Sequence, residues 1–148
     1  MTLPELLSVA PGADLTVVNE PFHCAGKLVL TLEGGESRSW LFSEEGELLA
    51  VAPGDDEAMF FRPTGEEIDA SGDQVLFQGK DYESTYEDGG KISQVQGDVV
   101  GMADDRLAFS EYEADDGGRV RVIRNENTGE TRSYVGEVVV VEEIMSVS

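Results

Sequence analysis

After the first dozen residues, apolar positions fall in short runs cut by Gly, Asp or Glu roughly every 8 to 12 residues, without the three-and-four spacing of a helix. That pattern predicts a mainly β chain: about ten short strands in one compact domain, arranged as two similar antiparallel β meanders packed as a sandwich or a barrel. The strands are read at Leu15–Asn19, Lys27–Leu32, Ser37–Ser43, Glu47–Ala52, Ala58–Phe61, Gln74–Gln78, Tyr82–Glu87, Ile92–Gln96, Leu107–Glu113, Arg119–Arg124 and Thr131–Glu142, the last long enough to bend or break at Gly136. Ahead of them the period is helical. Thr2 and Glu5 form a capping-box pair, Leu3, Leu6 and Leu7 share a face, and Pro11-Gly12 ends the helix.

Alternation assigns faces. In Arg119-Val-Arg-Val-Ile-Arg124 the arginines at 119 and 121 oppose Val120 and Val122, the pattern of a sheet with one wet and one dry face. Val138–Val141 is apolar at every position and reads as a strand covered on both sides. Glu33-Gly34-Gly35-Glu36, Asp88-Gly89-Gly90, Asp115–Gly118 and Asn125–Gly129 read as hairpin turns, because Gly and Asn take the positive φ of tight connections. Gly35-Glu-Ser-Arg-Ser-Trp40 returns as Gly129-Glu-Thr-Arg-Ser-Tyr134, an echo that fits a duplicated hairpin and equally fits two turns with the same residue preferences. The whole of 1–148 is read as one domain, with a boundary between halves near 62–72, where Pro, Gly and charged residues gather.

The chain has 31 acidic against 10 basic residues, a formal charge of −21. Nucleic acids and anionic membrane surfaces reward Lys and Arg patches, so neither is expected as a partner. Apolar runs such as Val138–Val141 are far short of the roughly 20 residues that cross a bilayer, so direct membrane insertion is not expected either. Met1–Ala10 lacks a basic region and holds Pro4 and Glu5 in its apolar stretch, so a cytoplasmic location is expected. With one cysteine, Cys24, the described chain has no disulfide framework and no multi-cysteine metal site. The acidity has two readings, a cation-attracting face or adaptation to a salt-rich habitat.

The second half carries a resemblance. Tyr82–Asp98, then Leu107-Ala-Phe-Ser-Glu-Tyr-Glu113, then Ile123–Glu137 with Glu126, Glu130, Tyr134, Gly136 and Glu137 at its close, together with Trp40-Leu41 in the first half, resemble a bacterial domain-of-unknown-function family across about residues 14 to 144. The resemblance implies a small β-rich domain with no established catalytic residues, encoded near aminopropyltransferase-like (spermidine-synthase-like) proteins, small membrane proteins and envelope-stress components. It also implies a protein partner within such a membrane-associated or polyamine-linked system. A shortened front and a higher acidity set this chain apart from the family.

Candidate chemistry is sparse. His23-Cys24 brings base and nucleophile types together, but neighbours on a strand face opposite ways, and no second histidine exists. No catalytic residue, metal site or cofactor is expected. The acidic pairs Glu44-Glu45, Asp55-Asp56-Glu57, Glu66-Glu67, Asp104-Asp105, Asp115-Asp116 and Glu142-Glu143 lack the alternating spacing of a calcium loop. The paired glycines lie between strands, without the helix N-terminus that holds phosphate. Two binding readings remain. Met59, Phe60 and Phe61 are apolar on both faces of a short segment and would form a protein interface if one face is exposed. Glu111, Glu113, Glu126 and Glu130 lie on or beside adjacent strands and would serve a small ligand or a cation, a polyamine or a divalent metal, on an acidic face. The function expected is non-catalytic binding or assembly, and the oligomeric state is open.

Overall fold

A sheet of short strands leaves two rows of unpaired backbone groups at its edges, and closing it on itself removes both. The computed structural model, which describes residues 1–54, 56–66, 68 and 72–147, has taken that course. Its elements are α1 (Leu3–Leu7), β1 (Asp14–Val17), β2 (Glu20–Leu32), β3 (Ser37–Ser43), β4 (Leu48–Val51), β5 (Glu57–Thr64), β6 (Gln74–Phe77), β7 (Lys80–Gly97), β8 (Arg106–Glu113), β9 (Arg119–Asn125), β10 (Thr131–Val140), a 3-10 turn (Val141–Glu143) and β11 (Met145–Ser146). The chain is mainly β, as its pattern predicts, and its sheet is an eight-stranded barrel. Strands β2-β3-β4-β5 form one antiparallel meander and β7-β8-β9-β10 a second; the seams β5–β10 and β2–β7 join them into a ring. Outside the ring, β1 pairs with β2 and carries β11, while β6 pairs with the start of β7.

Two glycine readings change here, and both lie on the seams. Asp88-Gly89-Gly90 is not a turn: the segments Tyr82–Glu87 and Ile92–Gln96 belong to one continuous β7. A Cβ at Gly90 would lie 2.4 Å from the Thr31 carbonyl oxygen, so glycine is what lets β7 reach β2. Gly136 does not break β10 either; a Cβ there would lie 1.9 Å from the Phe60 carbonyl oxygen, and the position serves the contact between β10 and β5. Neither close approach is visible from local sequence, because the touching strand is distant along the chain. The other three turns fall where the Gly and Asn residues place them.

The apolar residues fill three layers. Inside the barrel are Leu28, Leu30, Trp40, Phe42, Leu48, Phe61, Ile92, Leu107, Phe109, Ile123 and Tyr134. One outer core packs Leu41, Leu49, Phe60 and Val139 under α1, β1, the 3-10 turn and the chain that follows it, with Leu6, Leu15, Phe22 and Ile144. A second packs Tyr112, Val120 and Val122 under β6 and Ile68, with Val75 and Phe77. The predicted capping box on α1 is present, with Thr2 Oγ1 accepting from the Glu5 N–H and Glu5 accepting from the Thr2 N–H, and Leu6 is its buried anchor. Val138–Val141 is covered on one side only: Val139 and Val141 are buried, while Val140 is 41% exposed. The echoing hairpins are β2–β3 and β9–β10, the first of one meander and the last of the other, so they do not occupy equivalent places. The expected boundary near 62–72 overlaps the end of β5, and residues 67 and 69–71 lie outside the described residues.

Candidate functional site: a guanidinium-lined barrel mouth

Strand pairing sets the site. Glu111 on β8 stands opposite Arg121 on β9, and Glu113 stands opposite Arg119. In a flat sheet with one dry face these four would be the wet side. Here Val120 and Val122 face the outer core under β6, so Arg119 and Arg121 are turned into the barrel. Arg121 is 5% exposed and Glu111 2%. The Arg121 Nη2 donates to Glu111 Oε2 at 3.1 Å and the Arg119 Nη1 donates to Glu111 Oε1 at 3.3 Å, while the Arg119 Nη2 reaches Glu113 Oε1 at 3.3 Å. One carboxylate thus spans two guanidinium groups. Among the described residues, the buried Nε atoms of both arginines have no hydrogen-bond partner.

Aromatic rings enclose the Arg121 head. Its Cζ lies 5.0 Å from the Phe61 ring centre, 5.1 Å from Phe109 and 5.5 Å from Trp40. Cations at these separations over ring faces gain up to about 2 kcal/mol each when water is excluded. Trp40 and Phe109 meet edge to face at 5.3 Å, and Tyr86 adds a third ring 5.8 Å from Phe109. Burial presses the Arg121 pKa below its ordinary value, and the Glu111 charge holds it up. Burial likewise pushes the Tyr86 hydroxyl up, helped by its hydrogen bond to Asp88 Oδ2 at 2.5 Å.

Above this cluster the barrel opens into a cavity of about 690 Å³, walled by Arg38, Trp40, Met59, Tyr86, Phe109 and Val138, with Asp56 and Glu57 at its rim. The barrel below is filled by the apolar side chains of its interior layer. An eight-stranded barrel is wide enough either to be packed solid or to hold one small ligand, and this one does the first in its middle and leaves room at its end. The opposite mouth is polar, lined by the β3–β4 and β9–β10 turns, with a volume of about 810 Å³. There the buried Asn125 donates to Asp105 Oδ2 at 2.9 Å and accepts from the N–H groups of Asn127 and Thr128 at 2.9 and 3.3 Å.

No family model, curated protein or solved structure matches the chain. The site therefore rests on its own geometry.

The four carboxylates of the acidic-face reading are not brought together. Glu111 and Glu113 flank the guanidinium mouth, and Glu111 is occupied by two arginines. Glu126 and Glu130 sit in the turn at the far end of β9, where they pair with Arg106 at 3.8 Å and Arg132 at 3.1 Å. Seven residues of strand separate the two pairs by about 20 Å. The exposed face that the interface reading requires is missing as well. Phe60 lies in the outer core under α1 and β1, Phe61 inside the barrel, and Met59 half-buried on the cavity wall. His23 and Cys24 do face opposite ways: His23 is exposed and hydrogen-bonded to Asp14, whereas the buried Cys24 thiol, its pKa raised by burial, points to the Gly26 carbonyl at 3.5 Å. Among the described residues no three His, Cys, Asp or Glu side chains are placed to hold a metal ion, and no helix is long and apolar enough to cross a membrane.

Sequence reading missed Arg38, Trp40, Tyr86, Phe109, Arg119 and Arg121 as one group. A signal existed, since Glu111-x-Glu113 and Arg119-x-Arg121 are charge-complementary dyads on successive strands. What alternation cannot say is which face of a strand closes on itself.

Proposed function

We propose that this protein is a non-catalytic binding module that takes one small organic molecule into the Arg121 mouth of its barrel. The observation that carries the reading is the partly unsatisfied Arg119–Glu111–Arg121 cluster, with Glu111 and Arg121 buried and Arg119 half-buried, at the floor of a cavity walled in part by aromatic residues. Buried ion pairs of this kind are often no more stabilising than apolar residues of the same volume, so their presence at a cavity floor points to a use other than stability. Both carboxylate oxygens of Glu111 are engaged by arginines, which favours binding over catalysis. Two guanidinium groups at the floor also repel a polyamine, which moves the ligand reading away from the acidic faces. The order of the two meanders, each joined to the other through its first and last strands, is further proposed to descend from a duplication; the support is the near two-fold arrangement of the seams, not the hairpin echo.

The test is a fragment screen read by amide chemical shifts on the labelled protein. Binding should move Trp40, Met59, Tyr86, Phe109, Glu111 and Arg121 together. Shifts confined to the outer faces would sink the proposal, and so would stabilisation by spermidine, Ca²⁺ or Mg²⁺ that survives near-molar NaCl and leaves these amides still.

A further inference from the structure

We infer that the ligand of this mouth is an organic anion, a carboxylate carried on a flat apolar body, an inference that rests on the mouth being a binding site. The argument begins with acceptors. Arg119 and Arg121 bring five N–H donors each, and the carboxylate they share is Glu111, one oxygen to each; Glu113 serves only the outer arginine, and the Arg121 Nη2 also reaches the weakly accepting Met59 sulfur at 3.6 Å. Both Nε donors are left over, and water does not reach them. A second carboxylate at the floor of the mouth lets Glu111 settle on one guanidinium while the newcomer takes the other in the two-pronged geometry that suits the pair. A neutral ligand leaves the surplus donors as they are, and a cation, though Asp56 and Glu57 of the lining attract it, supplies those donors with no acceptor.

The walls define the rest of the molecule. Tyr86, 37% exposed, presents its ring beside the half-buried Met59 and Val138, with the buried Trp40 and Phe109 packed behind them against Arg121, which suits a planar or slender apolar body and gives a strongly hydrated one little in return. Asp56 and Glu57, the exposed acids of the lining, repel a carboxylate from the part of the mouth they occupy, so the anionic end goes to Arg119 and Arg121 and the apolar body fills the rest.

Trp40 is the sole tryptophan and stands on the cavity wall, so its emission reports occupancy without a label. The experiment titrates the full chain with benzoate, 2-naphthoate and decanoate, with the alcohols of the same bodies, and with the corresponding amines, following Trp40 emission and melting temperature. At least one acid should bind about tenfold or more tightly than its alcohol, the size of one strong charge-assisted contact. In Arg121→Met that preference should fall to near unity. Arg38→Gln, which leaves the buried cluster intact, should keep the fold and lose a few-fold of the preference; it carries the test if circular dichroism finds Arg121→Met unfolded, and an unchanged preference there overturns the inference. An alcohol or amine that binds at this mouth as tightly as its acid also overturns the inference while leaving the binding-site reading in place. If no compound of the three series alters Trp40 emission or raises the melting temperature at millimolar concentration, both fall.

Discussion

At one end of the barrel, Asn125 is buried and uses both sides of its amide on Asp105, Asn127 and Thr128; at the other, Arg121 is buried and Arg119 half-buried, with an orphaned Nε each. The same strand, β9, supplies both ends. The difference lies in what closes over them. The asparagine end is roofed by short turns whose backbone N–H groups and carboxylates reach inward, so its polar groups find partners within the chain. The arginine end is walled mainly by rings and Met59, which shield Arg121 from water but offer its head little beyond a weak sulfur acceptor. A buried donor without an acceptor costs about 1–3 kcal/mol, and a fold keeps such a feature at little benefit unless something else satisfies it.

The most drastic way to break this comparison is to open the barrel and lose both ends at once. In Gly136→Val the new side chain would collide with the Phe60 carbonyl, and the β5–β10 seam should part, at a cost of about 4 kcal/mol or more. Urea unfolding followed by Trp40 fluorescence should lose its cooperative transition; a sharp transition near the wild-type midpoint would mean that the seam tolerates a side chain. Next in size is a contrast between the two ends. Glu111→Ala leaves Arg121 buried without its counter-charge and should cost about 3–5 kcal/mol, whereas Asn125→Ala gives up neutral hydrogen bonds and should cost about 1–3 kcal/mol. Equal losses from urea midpoints would mean that the two ends do not differ in this way.

Smaller effects come from titration. Glu47, buried beside the Ser43 hydroxyl at the asparagine end, has its carboxyl pKa raised by burial, with the hydrogen bond from Ser43 at 3.1 Å acting the other way. A raised folded pKa means that its contribution is complete below the unfolded value, about 4.3, and is lost as pH rises through the folded one. Glu47→Gln should therefore be more stable than the wild type near pH 7, and this advantage should shrink toward pH 4; a constant difference across that range would refute the assignment. The smallest effect belongs to His23 on the β1–β2 ladder. Its hydrogen bond to Asp14, and then the Asp14 charge, raise its pKa, so its contribution is present below about 6.5 and fades as pH rises through the folded value. As the only histidine, it gives one imidazole signal by NMR; a midpoint at or below 6.5 would contradict the pairing.

Much of the secondary structure was legible because it is local. The Thr2–Glu5 capping box and the hairpin at Gly34-Gly35 depend on neighbours a few residues away, and both are found in the structure, whereas the wet face expected of β9 is covered. The two glycine sites read as a turn and a break were misread because their contacts are with Thr31 and Phe60, far along the chain. The proposed site was half legible. Glu111 and Glu113 were singled out as carboxylates, but their distance from Glu126 and Glu130 and their capture by Arg119 and Arg121 depend on register.

Alternating polar and apolar positions determine by themselves that β9 has two different faces and that its arginines share one of them. Only the closed sheet decided which face is inside. In a barrel the outer surface can be buried again under added elements, as β6 and Ile68 bury Val120 and Val122. The apolar face then need not be the inner one, and charged residues can end inside the mouth of the barrel.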